Sequence, residues 1–198
     1  MNMLSKLGLG VLAVVAMAFT NNNLEDGNYT VSLKQSKVEW VGKKVTGQHN
    51  GTVAIKGGSL AIKDGMLKGG EFTIDMTTIT STDLEGEYQQ KLNGHLKSAD
   101  FFGVENYPEA KFVITDVKEN GKNGRFSVTG DITIKETTKE INFDAQLVNS
   151  GEGIVAVADI VIDRSEFDVR YGSGSFFDNL GDKTIYDDFT LSVNLVTE

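Results

Sequence analysis

From Tyr29 onward, apolar and polar residues alternate with period two, the spacing that sets successive side chains on opposite faces of a strand. The clearest run is Phe126-Ser-Val128-Thr-Gly130-Asp-Ile132-Thr-Ile134, in which every even position is apolar or glycine and every odd position polar. Ile141, Phe143, Ala145 and Leu147 repeat the pattern against Asn142, Asp144 and Gln146. Phe189, Leu191, Val193 and Leu195 repeat it against Asp188, Thr190, Ser192 and Asn194. Each of these strands therefore has one buried and one wet face. Earlier strands are expected over 29–33, 37–42, 51–56, 59–63 and 66–76, divided by glycine turns at Gly57-Gly58 and Asp64-Gly65. Strands over 110–118 and 154–163 complete a set of roughly eight to ten, and their short connections favour an antiparallel meander.

One segment departs from this period. Leu84, Tyr88, Leu92, His95 and Leu96 recur at helical spacing, and Thr82 followed by Glu85 has the form of a capping box. A helix is expected over 83–97, with Gly94 either loosening its last turn or splitting off a second short helix over 98–102. Many alternating strands with a single helical insertion suggest a closed barrel or a sandwich, and the barrel is preferred because closure removes the exposed edges that template aggregation. An all-β barrel of about eight strands either fills itself with side chains or holds one small ligand.

Composition narrows the function. The 28 Asp and Glu against 19 Lys and Arg repel phosphate backbones, which excludes nucleic acid as a favoured partner. There is no cysteine, so disulfides, thiolate metal sites and cysteine nucleophiles are all excluded. Twenty-two glycines beside the single Pro108 suit a chain of strands that bend without losing ladder donors. At the start, Lys6, the apolar run Leu7 to Phe19 and Ala16-Met17-Ala18 read as a cleavable export signal over 1–20, with the folded domain over 24–198. The run is too short to span a bilayer, so the mature chain is expected in the periplasm or beyond.

The search for chemistry finds little. His49 and His95 share no metal-ligand spacing, and Asp178-Asn179-Leu180-Gly181-Asp182 lacks the alternation of a calcium loop. Neither a nucleophile elbow nor a phosphate-cradling glycine loop occurs, and Asp187 and Asp188 point to opposite faces of a strand. Arg164 follows Asp163 at a strand end, which suggests an ion pair at the barrel rim or a polar head-group contact. The aromatic residues remain, with the Phe101-Phe102 pair beside the helix as an exposed gate to a mouth and Phe176 and Phe177 in a glycine-rich loop.

Particular blocks carry a resemblance. The run Leu92-Asn-Gly-His95-Leu96-Lys97-Ser98-Ala-Asp100-Phe101-Phe102-Gly-Val104-Glu-Asn-Tyr107-Pro108-Glu-Ala110-Lys-Phe112 resembles the signature of YceI-like proteins, a polyisoprenoid-binding family. Similar blocks are Trp40-Val-Gly42, Gly47-Gln-His49-Asn-Gly51, Gly70-Glu-Phe72-Thr-Ile74-Asp75, Thr138-Lys139 and Ile162-Asp163-Arg164-Ser-Glu-Phe167, in order across residues 28–198. The resemblance implies a lipocalin-like antiparallel barrel of eight strands, with a helical insertion at about 83–102, that holds an isoprenoid chain such as a quinone tail and has no catalytic residue or cofactor. Its lining is then expected from Trp40, Phe72, Ile74, Phe101, Phe102, Phe112, Phe126, Val128, Ile132, Phe143 and Phe167, with His95, Asp100 and Arg164 near a head group. Transient membrane contact and a two-fold dimer are compatible with such a carrier. Two other readings stand beside it: an enzyme acting on a lipid-like substrate through His95, Asp100 or Arg164, and a stress or adhesion module that binds protein through 172–182.

Overall fold

A computed structural model describes residues 24–121 and 124–198, and the expected export signal lies outside the described residues. The elements run β1 (Gly27–Thr30), β2 (Lys37–Lys44), β3 (Gly47–Lys63), β4 (Met66–Ser81), α1 (Gly86–Lys97), β5 (Glu109–Glu119), β6 (Arg125–Ile134), β7 (Thr137–Asn149), β8 (Ile154–Asp163) and β9 (Ile185–Val196). All neighbours pair antiparallel in the order β3-β2-β9-β8-β7-β6-β5-β4, and β4 returns to β3, so eight strands close a barrel. β1 lies beside β3 at Gly27↔Ile62 to Thr30↔Ser59, on the edge that β2 occupies from Val38↔Val53 to Lys44↔Gly47. Val31 then bridges Thr197. β1 and β2 are thus two halves of one wall strand, interrupted where the Gln35 and Ser36 N–H groups both turn back to the Ser32 carbonyl. The strand expected through Leu33 ends at Thr30 for that reason, and Leu33 sits exposed in the excursion.

Asp64-Gly65 makes the two-residue hairpin turn, with φ of 55° and 69° between the paired Lys63 and Met66. Gly57-Gly58 does not turn. β3 runs straight through it for 17 residues, with a register shift at Ile55/Gly57. A Cβ on Gly58 would lie 2.6 Å from the Phe72 ring and 2.7 Å from the Glu71 carbonyl, so the glycine is there to let its cross-strand partner approach. Gly130 works in the same way under Phe112, whose ring would be 2.4 Å from an added Cβ.

α1 begins at Gly86, after Glu85, and no side chain caps it. Thr82 is committed elsewhere: its hydroxyl accepts from Asn50 Nδ2, and the Asn50 N–H donates to Asp83. The helix is latched to β4 through its own amides. Gln89 donates to the Ser81 carbonyl, and Asn93 accepts from the Ser81 N–H while donating to Thr80 Oγ1, each at 2.8 Å. Residues 98–102 form turns rather than a second helix, ending at Gly103 with φ 58°. α1 lies at the upper end of the barrel together with the β2–β3 and β6–β7 hairpins and the β8–β9 connection. The β3–β4, β5–β6 and β7–β8 turns mark the lower end.

Candidate binding cavity

The inward faces of the eight strands meet around a cavity of about 210 Å³. It runs from Leu96 and Phe102 beneath α1 down to Leu67 and Leu147, so it occupies most of the barrel's length. Six residues of strand between Phe189 and Leu195 cover about 20 Å. Spread along that length, the volume is a bore about one hydrocarbon chain wide. The wall is apolar throughout, and among the described residues Arg164 is the one charged side chain on it.

Nine of the eleven side chains assigned to a lining from sequence stand on this wall: Trp40, Phe72, Ile74, Phe101, Phe102, Phe112, Val128, Ile132 and Phe143. Phe126 and Phe167 do not. Phe126 lies at the lower start of β6, opposite Ala145 and Glu119, and packs below the cavity. Phe167, 1% exposed in the 3-10 turn Arg164–Phe167, faces a separate polar cleft with Tyr107, Lys135 and Glu136. There a hydrogen bond to Glu136, helped by burial, raises the Tyr107 hydroxyl above its ordinary pKa. Met76, Leu96, Ile160, Phe189 and Leu191 also line the cavity and are not among the residues assigned to the lining from sequence. Their strand alternation was the available signal for all but Leu96.

Phe101 and Phe102 are not an exposed gate. They are 7% and 8% exposed, stacked edge to face 5.0 Å apart beneath α1, and they plug the upper end. The plug is anchored by Arg164, which is 2% exposed rather than at a wet rim. Its partner is not Asp163, whose carboxylate accepts from the Ser165 N–H and hydroxyl. Arg164 donates to the carbonyls of Val169 at 2.6 Å, Ile185 at 3.0 Å and Tyr186 at 3.2 Å, and pairs with Asp187 at 3.2 Å. Burial lowers the guanidinium pKa below its ordinary value, and the Asp187 and Asp163 carboxylates oppose that shift. The guanidinium also lies 5.4 Å from the centre of the Phe101 ring. On the other side of Phe101 the His95 ring stands 5.5 Å away and packs against Tyr171 at 4.4 Å. His95 Nε2 is buried and has no hydrogen-bond partner. Asp100 is exposed and off the cavity wall. The structure therefore gathers Arg164 and His95 around Phe101 and leaves Asp100 outside.

No group of three His, Asp or Glu among the described residues is placed to hold a metal ion. No helix among them is long and apolar enough to cross a membrane.

Comparison with known proteins agrees with the architecture. Among solved structures, BcnA of Burkholderia cenocepacia superposes with a TM-score of 0.69 at 22% identity, over 85% of this chain and 99% of its own. A polyisoprenoid binding domain from Saccharophagus degradans, implicated in plant cell wall breakdown, superposes at 0.63 with 12% identity, over 86% and 97%. At these identities the likeness is one of fold. In sequence, the UPF0312 protein plu2095 of Photorhabdus laumondii is 39% identical over 75 residues, and Protein YceI of Escherichia coli is 35% identical over 75. The aligned stretch is 38% of this chain and 38% of the length of each relative. The model of the YceI-like domain matches residues 29–197, which is the whole barrel, and the chain belongs to the YceI-like family.

Proposed function

We propose that this protein is a non-enzymatic carrier or store that is exported from the cytoplasm and holds the tail of a polyisoprenoid or related amphiphile, such as an isoprenoid quinone, inside its barrel. The observation that carries the reading is a bore one chain wide, apolar along its length, in a barrel of this family. Burying hydrocarbon contributes about 0.8 kcal/mol per methylene, or about 4 kcal/mol for each five-carbon unit. Three buried units supply about 12 kcal/mol, and a loss of freedom of at least about 4 kcal/mol on association leaves micromolar binding or somewhat weaker. Reactive groups are not needed for this.

The enzyme reading finds less support. Arg164 donates to three carbonyls and forms an ion pair with Asp187, and Asp100 is off the wall. The upper end does favour transient contact with a membrane: Tyr171, Phe176, Phe177 and Tyr186 are all 40% exposed or more, and aromatic rings settle at the bilayer interface. The test is organic extraction of the purified protein with mass spectrometry, together with titration by a polyprenyl benzoquinone. The single tryptophan, Trp40, stands on the cavity wall and is expected to lose fluorescence as the quinone binds. Absence of both a co-purified lipid and quenching refutes the carrier.

A further inference from the structure

The barrel wall is not uniformly stitched. β7 is paired with β6 from Arg125↔Gln146 to Ile134↔Thr137, and β8 with β9 from Val155↔Val196 to Asp163↔Asp188. Between β7 and β8, however, the ladder consists of Ala145↔Ala158 to Asn149↔Ile154 and goes no further. Above it, residues 140–144 and 159–163 face each other without pairing. If the register continued, Asp144 would oppose Asp159, the first pair beyond the ladder, and Glu140 would oppose Asp163. The ladder ends short of this pair, although the acidic pairs Asp163↔Asp188 and Asp131↔Glu140 do fall within ladders elsewhere in the wall, so charge alone does not end it. Both aspartates instead bond sideways, Asp144 accepting from Asn120 and Asp159 from Ser192. Five unpaired steps of strand make a window about 17 Å long. Its inward residues Ile141, Phe143, Ile160 and Ile162 line the cavity. Its upper end is pinned by Lys135 Nζ, which donates to the Asp168 carbonyl.

We propose that this window is the passage through which a long apolar chain slides sideways into and out of the barrel, a proposal that rests on the tail-binding reading above. The alternatives are costlier to open. Leaving by the upper end breaks the bonds of buried Arg164 and displaces Phe101 and Phe102, whereas the window parts with no ladder bond broken. A second seam also lacks a ladder, where β4 residues 66–70 meet β5 residues 114–118 at the lower end. There Ile114 packs onto Gly70 closely enough that an added Cβ would be 3.2 Å away. That seam is closed by side chains and serves as the control.

Because the chain has no cysteine, each seam can be locked by one engineered disulfide. Asp144→Cys with Asp159→Cys spans the window, and Glu71→Cys with Val113→Cys, the paired residues at which the β4–β5 ladder ends, spans the control seam. Transfer of a polyprenyl benzoquinone from phosphatidylcholine vesicles is followed by Trp40 quenching, with the same protein oxidised and reduced. The oxidised window lock is expected to slow uptake and release by about tenfold or more with the same final occupancy, and the control lock to leave both unchanged. A confirmed window disulfide that leaves the rate unaltered, or two locks that slow it equally, overturns the proposal. Quenching absent from every form, reduced included, refutes the carrier itself and the window with it.

Discussion

Replacing Arg164 by methionine tests whether one buried cation holds the upper plug. The side chain is 2% exposed, donates to three backbone carbonyls and forms an ion pair with the Asp187 carboxylate. Methionine fills much of the volume and supplies no donor. The carbonyls of Val169, Ile185 and Tyr186 then lose a charged partner in a place water reaches poorly, and Asp187 keeps its charge without a cation. Breaking a buried pair from one side costs about 3–5 kcal/mol. For a domain of this size that lowers Tm by about 6–20 °C. Urea unfolding followed by Trp40 fluorescence and by circular dichroism measures the loss and shows whether both probes report one transition. Asp187→Asn removes only the countercharge and is expected to cost less. Adding Asp187→Leu to Arg164→Met is expected to recover part of the loss, because only unpaired carbonyls then remain. An Arg164→Met protein within about 1 kcal/mol of the parent refutes the anchoring role.

Three further perturbations address the cavity, the wall and an acid-sensitive contact. Phe143→Asp puts a carboxylate on the apolar wall and is expected to abolish quinone quenching. A variant that keeps the parent far-ultraviolet circular dichroism and also takes up quinone fully would show that Phe143 does not line the ligand path. Gly130→Ala forces a methyl to within 2.4 Å of Phe112 and 2.6 Å of the Val113 carbonyl, and is expected to cost about 1–3 kcal/mol by urea unfolding. Gly42→Ala, with nothing within 4 Å, is expected to cost much less. Burial raises the Asp83 pKa, but hydrogen bonds from His49 and the Asn50 N–H outweigh it and leave the value below 3.8. Its contribution is therefore complete above pH 3.8 and lost as pH falls through the folded value, so the stability gap between parent and Asp83→Asn should close in acid. A gap independent of pH would contradict this.

Strand content was legible because one face of each strand is wet: the even residues of β6 from Phe126 to Ile134 are all buried in the structure. Closure into a barrel followed from the need to hide edges. What escaped depends on partners distant in sequence. Gly57-Gly58 carries the signal of a turn, but glycine also occurs where a facing ring needs space, and only the register with Phe72 distinguishes the two. The Thr82–Glu85 spacing fits a capping box, yet Thr82 answers to Asn50, over 30 residues earlier. Arg164 sits next to Asp163 in sequence but pairs with Asp187, because a 3-10 turn carries its guanidinium inward. Phe126 obeys the inward pattern and still misses the bore, since alternation reports the face of a strand and not height along the barrel axis, while Phe167 misses it because the 3-10 turn after β8 carries it to a separate cleft.

The seam joining β2 to β9 bears on how the molecule is made. Val38 meets Val193 and Trp40 meets Leu191, so the wall is completed by its most distant partners in sequence. A nascent chain emerging from the ribosome lacks those residues until nearly all of it has been synthesised. Until then β2 and β8 are open edges beside an unfilled apolar trough, a state prone to pairing with other chains. Sealing is consequently a late event with a large loop to close, which slows folding. Under the export proposed above, that delay is useful, because a barrel that seals last has not yet closed when the chain crosses the membrane.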